Sequence, residues 1–219
     1  MRRNTISAAT FGRAKEATSA HGIQISTFES WRLGALAVHP ADDSVNAHLA
    51  GKPYVHDIFA PGAIAGGSPT LLGIAATVYA VGRLKDQPKV SHVGMDLIRS
   101  LAVAEALTQG LKYTTRRERP DGSGRNSFPS GHSADTFAFA TALERHLGWR
   151  GAVPAYVIAS YVGASRLHEN RHFASDVVFG AAVGIISGRT VTRHGHDSYT
   201  ADLQIRPGGA ALMFVRRYE

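Results

Sequence analysis

The chain has 219 residues, enough for one generous domain or a domain with a tail. Hydrophobic residues make up 44% and charged residues 19%, which excludes disorder throughout, and the absence of cysteine excludes disulfides, thiolate nucleophiles and Cys-ligated zinc. With 24 Lys+Arg against 17 Asp+Glu the net charge is +7, which favours anionic partners such as phosphate esters, anionic lipid surfaces or nucleic acid.

In chain order, residues 1–54 read as a polar N-terminal extension of weak helices and loops. The basic start is followed by no apolar run of the kind a secretory signal needs. Pro61–Gly82 is uncharged and long enough in principle to span a bilayer, but it holds Pro69 and five glycines. It reads as a loop through Gly67, then a helix to about Leu84 with Ser68 as N-cap and Pro69 as the first helical residue. The mean hydropathy of -0.10 favours a soluble or peripheral domain over an integral one.

Leu97, Leu101, Ala104, Thr108 and Leu111 recur at helical spacing and predict an amphipathic helix over 95–112, stopped by Pro120. Further helices are expected from about Ser130 to Leu147, over Val153–Gly163, and from about Phe173 to Thr190. Gly180, Gly184 and Gly188 give the last one a smooth face for close helix approach. After Thr192, DLQIR, Pro207-Gly208-Gly209 and ALMFVRR read as two strands about a turn. The prediction is an all-α bundle over 55–192, with a tail over 193–219 that forms a C-terminal hairpin.

Three polar clusters sit at helix ends. Lys112 and Arg119 are seven apart, which a helical backbone brings onto one face. Ser130-Gly131-His132 opens a helix, where an N-cap residue and free amides make an anion site. His172 and Asp176 are at i and i+4, so the carboxylate can take a hydrogen bond from one imidazole nitrogen and aim the other outward. With Arg166 these groups describe a phosphoryl-transfer site that needs no metal: cations and amides for the equatorial oxygens, and two histidines for nucleophile and acid–base work.

K-x6-RP, PSGH and SR-x5-H-x3-D, here Lys112…Arg119-Pro120, Pro129-Ser130-Gly131-His132 and Ser165-Arg166…His172…Asp176, resemble the signature of the type 2 phosphatidic acid phosphatase (PAP2) superfamily. That superfamily also holds class A acid phosphatases and vanadium haloperoxidases. The resemblance implies that His172, in a surface cleft, attacks phosphorus to give a phosphohistidine, that Asp176 holds its tautomer, and that His132 protonates the leaving group and then activates water. It implies that Lys112, Arg119, Arg166, Ser130 and the Gly131 amide bind phosphate. No cofactor is expected, and vanadate should inhibit. The substrate would be a phosphorylated small molecule or lipid, with contact at a membrane surface and the cell envelope as compartment. The eight residues between Pro120 and Pro129 are fewer than in many members, leaving little material for a lid.

The alternatives are a vanadium-dependent haloperoxidase, disfavoured by the compact chain, and a non-catalytic phosphate or headgroup binder, disfavoured by the presence of both histidines. A nucleic-acid role is set aside because the aromatics are not interleaved with the basic residues. His194-Gly-His196-Asp197 offers too few ligands for a metal, Gly62…Gly66-Gly67 lacks the context of a phosphate loop, and His168 and Arg171 fall in the loop leading to His172.

Overall fold

The computed structural model describes residues 37–53 and 56–192, and the backbone of 197–206 and 209–218. The first thirty-six positions of the extension, the His194/His196 tract and the expected turn at Pro207-Gly208 lie outside the described residues.

After a single 3-10 turn at His39–Ala41 come α1 (Asp42–Leu49), α2 (His56–Phe59), α3 (Pro61–Ala65), α4 (Ser68–Leu84), α5 (Pro88–Thr115), α6 (Gly131–His168) and α7 (Ala174–Thr192). An antiparallel ribbon follows, β1 (Asp197–Arg206) with β2 (Gly209–Tyr218), in the register Leu203↔Leu212. α6 is two helices joined at Gly148, whose φ of 74° and ψ of 167° only glycine adopts readily. The chain therefore runs away from the site along α4, back along α5, out and back along the two halves of α6, and away again along α7.

The predicted α5 face holds: Leu97, Leu101, Ala104 and Thr108 are all buried. Two clusters form the core. Ala104, Ala134, Ala138, Phe179 and Val183 pack at the site end, and Leu71, Ala75, Leu97, Leu101 and Ala142 pack behind them. Small residues dominate both, so the backbones run close. A Cβ placed on Gly184 would stand 2.2 Å from the Ala134 carbonyl oxygen, and one on Gly180 would stand 2.4 Å from that of Ser130. The glycine stripe of α7 is therefore the seam with the first half of α6.

Three local expectations need correction. The stretch before Gly67 is not loop but two short helices, and Gly62 and Gly66 there allow contact with Ser165 and Val162. The N-cap of α4 is Gly67, with no side-chain cap; the Ser68 hydroxyl instead donates to Asp135 Oδ2 at 2.6 Å. The helix expected to stop at Gly163 continues to His168, because Gly163 is a packing residue whose added Cβ would lie 2.9 Å from Val177.

Among the described residues one helix, Ala174–Thr192, is long and apolar enough to cross a membrane, and just over half of it is buried in the bundle. α2–α3 with α4 pass the same test only as a pair bent by 55°. The outward face of α4 is strongly apolar, with Leu72, Ile74, Val81 and Leu84 exposed.

Candidate active site

The end of α5, both ends of α6 and the start of α7 meet at one end of the bundle. Ser130 caps α6 as the sequence suggests, its hydroxyl accepting from the Ser133 amide at 3.4 Å, and its own N–H donates to the Asp176 carbonyl at 3.0 Å. Lys112, Arg119, His132 and His172 all lie within electrostatic reach of one another.

His172 is buried at 4% exposure rather than lying in an open cleft. Its Nδ1 is 2.7 Å from the Ser127 carbonyl oxygen and 3.9 Å from Asp176 Oδ2. The expected His172–Asp176 hydrogen bond is therefore not formed. A carbonyl only accepts, so the proton is on Nδ1 and Nε2 carries the lone pair. Asp176 acts one step back: its Oδ2 accepts from Ser127 Oγ at 2.5 Å and from the Phe173 amide at 2.9 Å. It thus clamps the residue whose carbonyl orients the imidazole. Burial, with Lys112 and Arg119 alongside, pushes the His172 pKa down to about 3, so the ring is neutral at physiological pH. Burial also raises Asp176, against the pull of Ser127 and Arg117.

His132 Nε2 lies 3.2 Å from the Ala63 carbonyl oxygen, which puts its proton on Nε2. Its pKa is lowered by burial and by the charge of Arg166. Lys112, brought down to about 8 by burial and Arg119, donates to the Asn126 carbonyl at 2.6 Å. Arg119 Nε is buried and has no partner among the described residues. Arg166 is buried, pairs with Glu169 and donates to Ser165 Oγ at 3.3 Å. A cavity of about 440 Å³ opens beside Lys112, lined by Gln109, Lys112, Tyr113, Arg116, Arg125 and Asn126, three cations and no carboxylate.

Sequence reasoning missed a layer behind this. Arg117 donates to Asp176 Oδ1 at 2.7 Å, Ser175 Oγ at 2.8 Å and Asp42 Oδ2 at 2.8 Å. Asp42 in turn accepts from the Ser175 amide at 2.9 Å. Burial alone would raise Asp42, but the bonds from Arg117, Ser175 and His39 hold it low. Asn46, also on α1, donates to the His172 carbonyl at 3.3 Å. Arg117 sits inside the Lys112–Arg119 run and could have been flagged there; Asp42, 75 positions earlier, carried no signal. His168 ends α6 buried against the Leu49 carbonyl, and Arg171 pairs with Asp121 and Ser123, so neither is a free loop residue.

Residues 93–199 match the model of the PAP2 superfamily. The lipid A 1-phosphatase of Porphyromonas gingivalis is 46% identical over 99 residues, 42% of this chain and 22% of that one. A PA-phosphatase related-family protein of Dictyostelium discoideum is 25% identical over 147 residues, 53% of this chain and 54% of that one. The chain thus spans about half or less of the length of these curated relatives. A transmembrane PAP2-type phosphatidylglycerolphosphate phosphatase from Bacillus subtilis superposes with a TM-score of 0.67 at 25% identity, over 78% of this chain and 95% of that one. Aquifex aeolicus LpxE gives 0.58 at 24% identity, over 70% and 93%, a likeness of fold.

Proposed function

We propose that the chain is a lipid-phosphate phosphatase working through a phosphohistidine. The observation that carries this is the Nδ1–H of His172 donating to the Ser127 carbonyl, which leaves Nε2 as a neutral nucleophile facing Lys112 and Arg119. Nε2 forms the N–P bond as the P–O bond to the leaving group breaks, and imidazolium His132 gives that oxygen its proton. Neutral His132 then takes a proton from water as the water oxygen attacks phosphorus and expels His172, releasing inorganic phosphate. Arg166 lowers the affinity of His132 for its proton; a phosphate dianion among the same cations counteracts this and favours the imidazolium. Lys112, Arg119, Arg166, Ser130 and the Gly131 amide meet the phosphoryl oxygens, so the reaction calls for no metal.

A lipid substrate is supported by the relatives and by the rim. Ala63 touches His132, and beside it Ile64 is 74% exposed and Ile58 61%. Such side chains, with the outward face of α4, suit acyl chains at a membrane surface better than water. The cationic cavity beside Lys112 suits the anionic remainder of a headgroup.

The test is phosphate release from p-nitrophenyl phosphate and from a short-chain phosphatidic acid, with EDTA and orthovanadate as additives. We expect lipid turnover that resists EDTA, is inhibited competitively by vanadate, and is lost in His172→Ala. Because His172 is buried, circular dichroism must show that variant folded. Turnover surviving in folded His172→Ala refutes the assignment, and loss of turnover in EDTA refutes the metal-free mechanism.

A further inference from the structure

Near the opposite end of the bundle, His92 and Asp96 stand one turn apart near the start of α5, and His146 faces them from the last turn before the Gly148 bend. His92 Nε2 is 3.3 Å and His146 Nε2 3.0 Å from the same oxygen, Asp96 Oδ2, and the three atoms lie within 4.8 Å of one another. The imidazoles meet edge-on, 80° between planes and 5.5 Å between centroids, so their nitrogens converge rather than stack. Among the described residues this is the one group of three such donors.

We propose that His92 Nε2, Asp96 Oδ2 and His146 Nε2 bind one divalent transition-metal ion, zinc foremost, that clamps the start of α5 to the end of the first half of α6. The spacing suits it: ligands at about 2.0–2.1 Å in a tetrahedral site are about 3.3 Å apart. Two imidazoles and a carboxylate select zinc, cobalt or nickel over magnesium or calcium, which prefer all-oxygen shells. Asp96 is 2% exposed beside buried Leu97, and its other oxygen faces Arg99 Nη1 at 3.6 Å, which holds the carboxylate in orientation as outer-shell partners do. The half-exposed His92 leaves a path for the ion and for a water as fourth ligand. Sixteen residues of helix separate Asp96 from Lys112, about 24 Å, so the ion takes no part in phosphoryl transfer.

The experiment is equilibrium binding of Zn²⁺ to the full chain with thermal melting, and the visible spectrum of the Co²⁺ form. Eleven histidines can bind zinc loosely, so the comparison is with His92→Ala and His146→Gln, both outside the active site. The expected result is one tight equivalent, a Tm rise of about 5–10 °C at a hundredfold excess over Kd, and intense tetrahedral cobalt bands. Each variant should lose about a hundredfold in affinity and the bands, while phosphate release stays unchanged. EDTA should lower Tm without slowing turnover. Absence of a tight equivalent, or one that persists in the folded variants, overturns the proposal and leaves the phosphatase reading untouched.

Discussion

Arg117 is the guanidinium on which two buried carboxylates depend, and replacing it with glutamine exposes how the site is braced. Asp42 is 3% and Asp176 0% exposed, and Arg117 bonds to them at 2.8 and 2.7 Å. Removing one member of a buried ion pair costs about 3–5 kcal/mol, because the remaining charge is stranded. Asp42→Asn alone should cost only about 1–2 kcal/mol, since the amide oxygen still accepts from Ser175 and Arg117 keeps Asp176. In the double variant the stranded charge on Asp42 is gone, so the combined loss should fall short of the sum by about 1–3 kcal/mol. Chemical denaturation of the four proteins gives these values. The same cycle on kcat should show loss in Arg117→Gln with little change in KM, because Asp176 also holds Ser127 and so the His172 ring. Losses that add to within about 0.5 kcal/mol refute the bridge.

Two further predictions concern packing and pH. Gly184→Ala drives a methyl against the Ala134 carbonyl and should destabilise by about 1–3 kcal/mol, whereas Gly110→Ala, with nothing within 4 Å of the added carbon on the exposed side of α5, should stabilise by up to about 1 kcal/mol; denaturation curves moving the same way for both would contradict the seam. Burial raises Asp135 to about 7, against its bond from Ser68. The folded chain therefore holds a proton that the unfolded chain releases near pH 4, and the contribution of Asp135 to stability falls as pH rises from about 4 to 7, by at most about 4 kcal/mol, opposite in sign to that of neutral, buried His172. The stability of Asp135→Asn relative to the parent should therefore rise between about pH 4 and 7, and parallel stability–pH curves for the two proteins would count against it.

Every residue read from the sequence as a site residue lies at the one bundle end, at a helix terminus or in the loop beside one: α5 stops at Thr115, so Arg119 reaches the site from the following loop rather than from the helical face expected to carry it with Lys112. Ser130 was legible as a cap and α5 as an amphipathic helix, since both signals are local. The partner of His172 was not: a backbone carbonyl has no signature in side-chain letters, so the i,i+4 carboxylate took its place in the reading. Ser68 was misread because a buried tertiary acceptor, Asp135, outcompetes the local cap. Gly163 was misread as a stop because nothing in one strand of letters says that Val177 will press against it.

His132 and Arg166 lie on the two arms of one hairpin-like helix whose pivot is Gly148, some 18 residues and about 27 Å from Arg166. At that lever length, one degree of opening at the pivot moves an arm tip by about half an ångström, as much as a phosphoryl-transfer geometry tolerates. Both arms pack on α7: the first is laced to it at Gly180, Gly184 and Gly188, and the second meets Val177 at Gly163. The glycine stripe therefore acts as a ruler as well as a seam, fixing where the first arm, and His132 at its start, stands against α7.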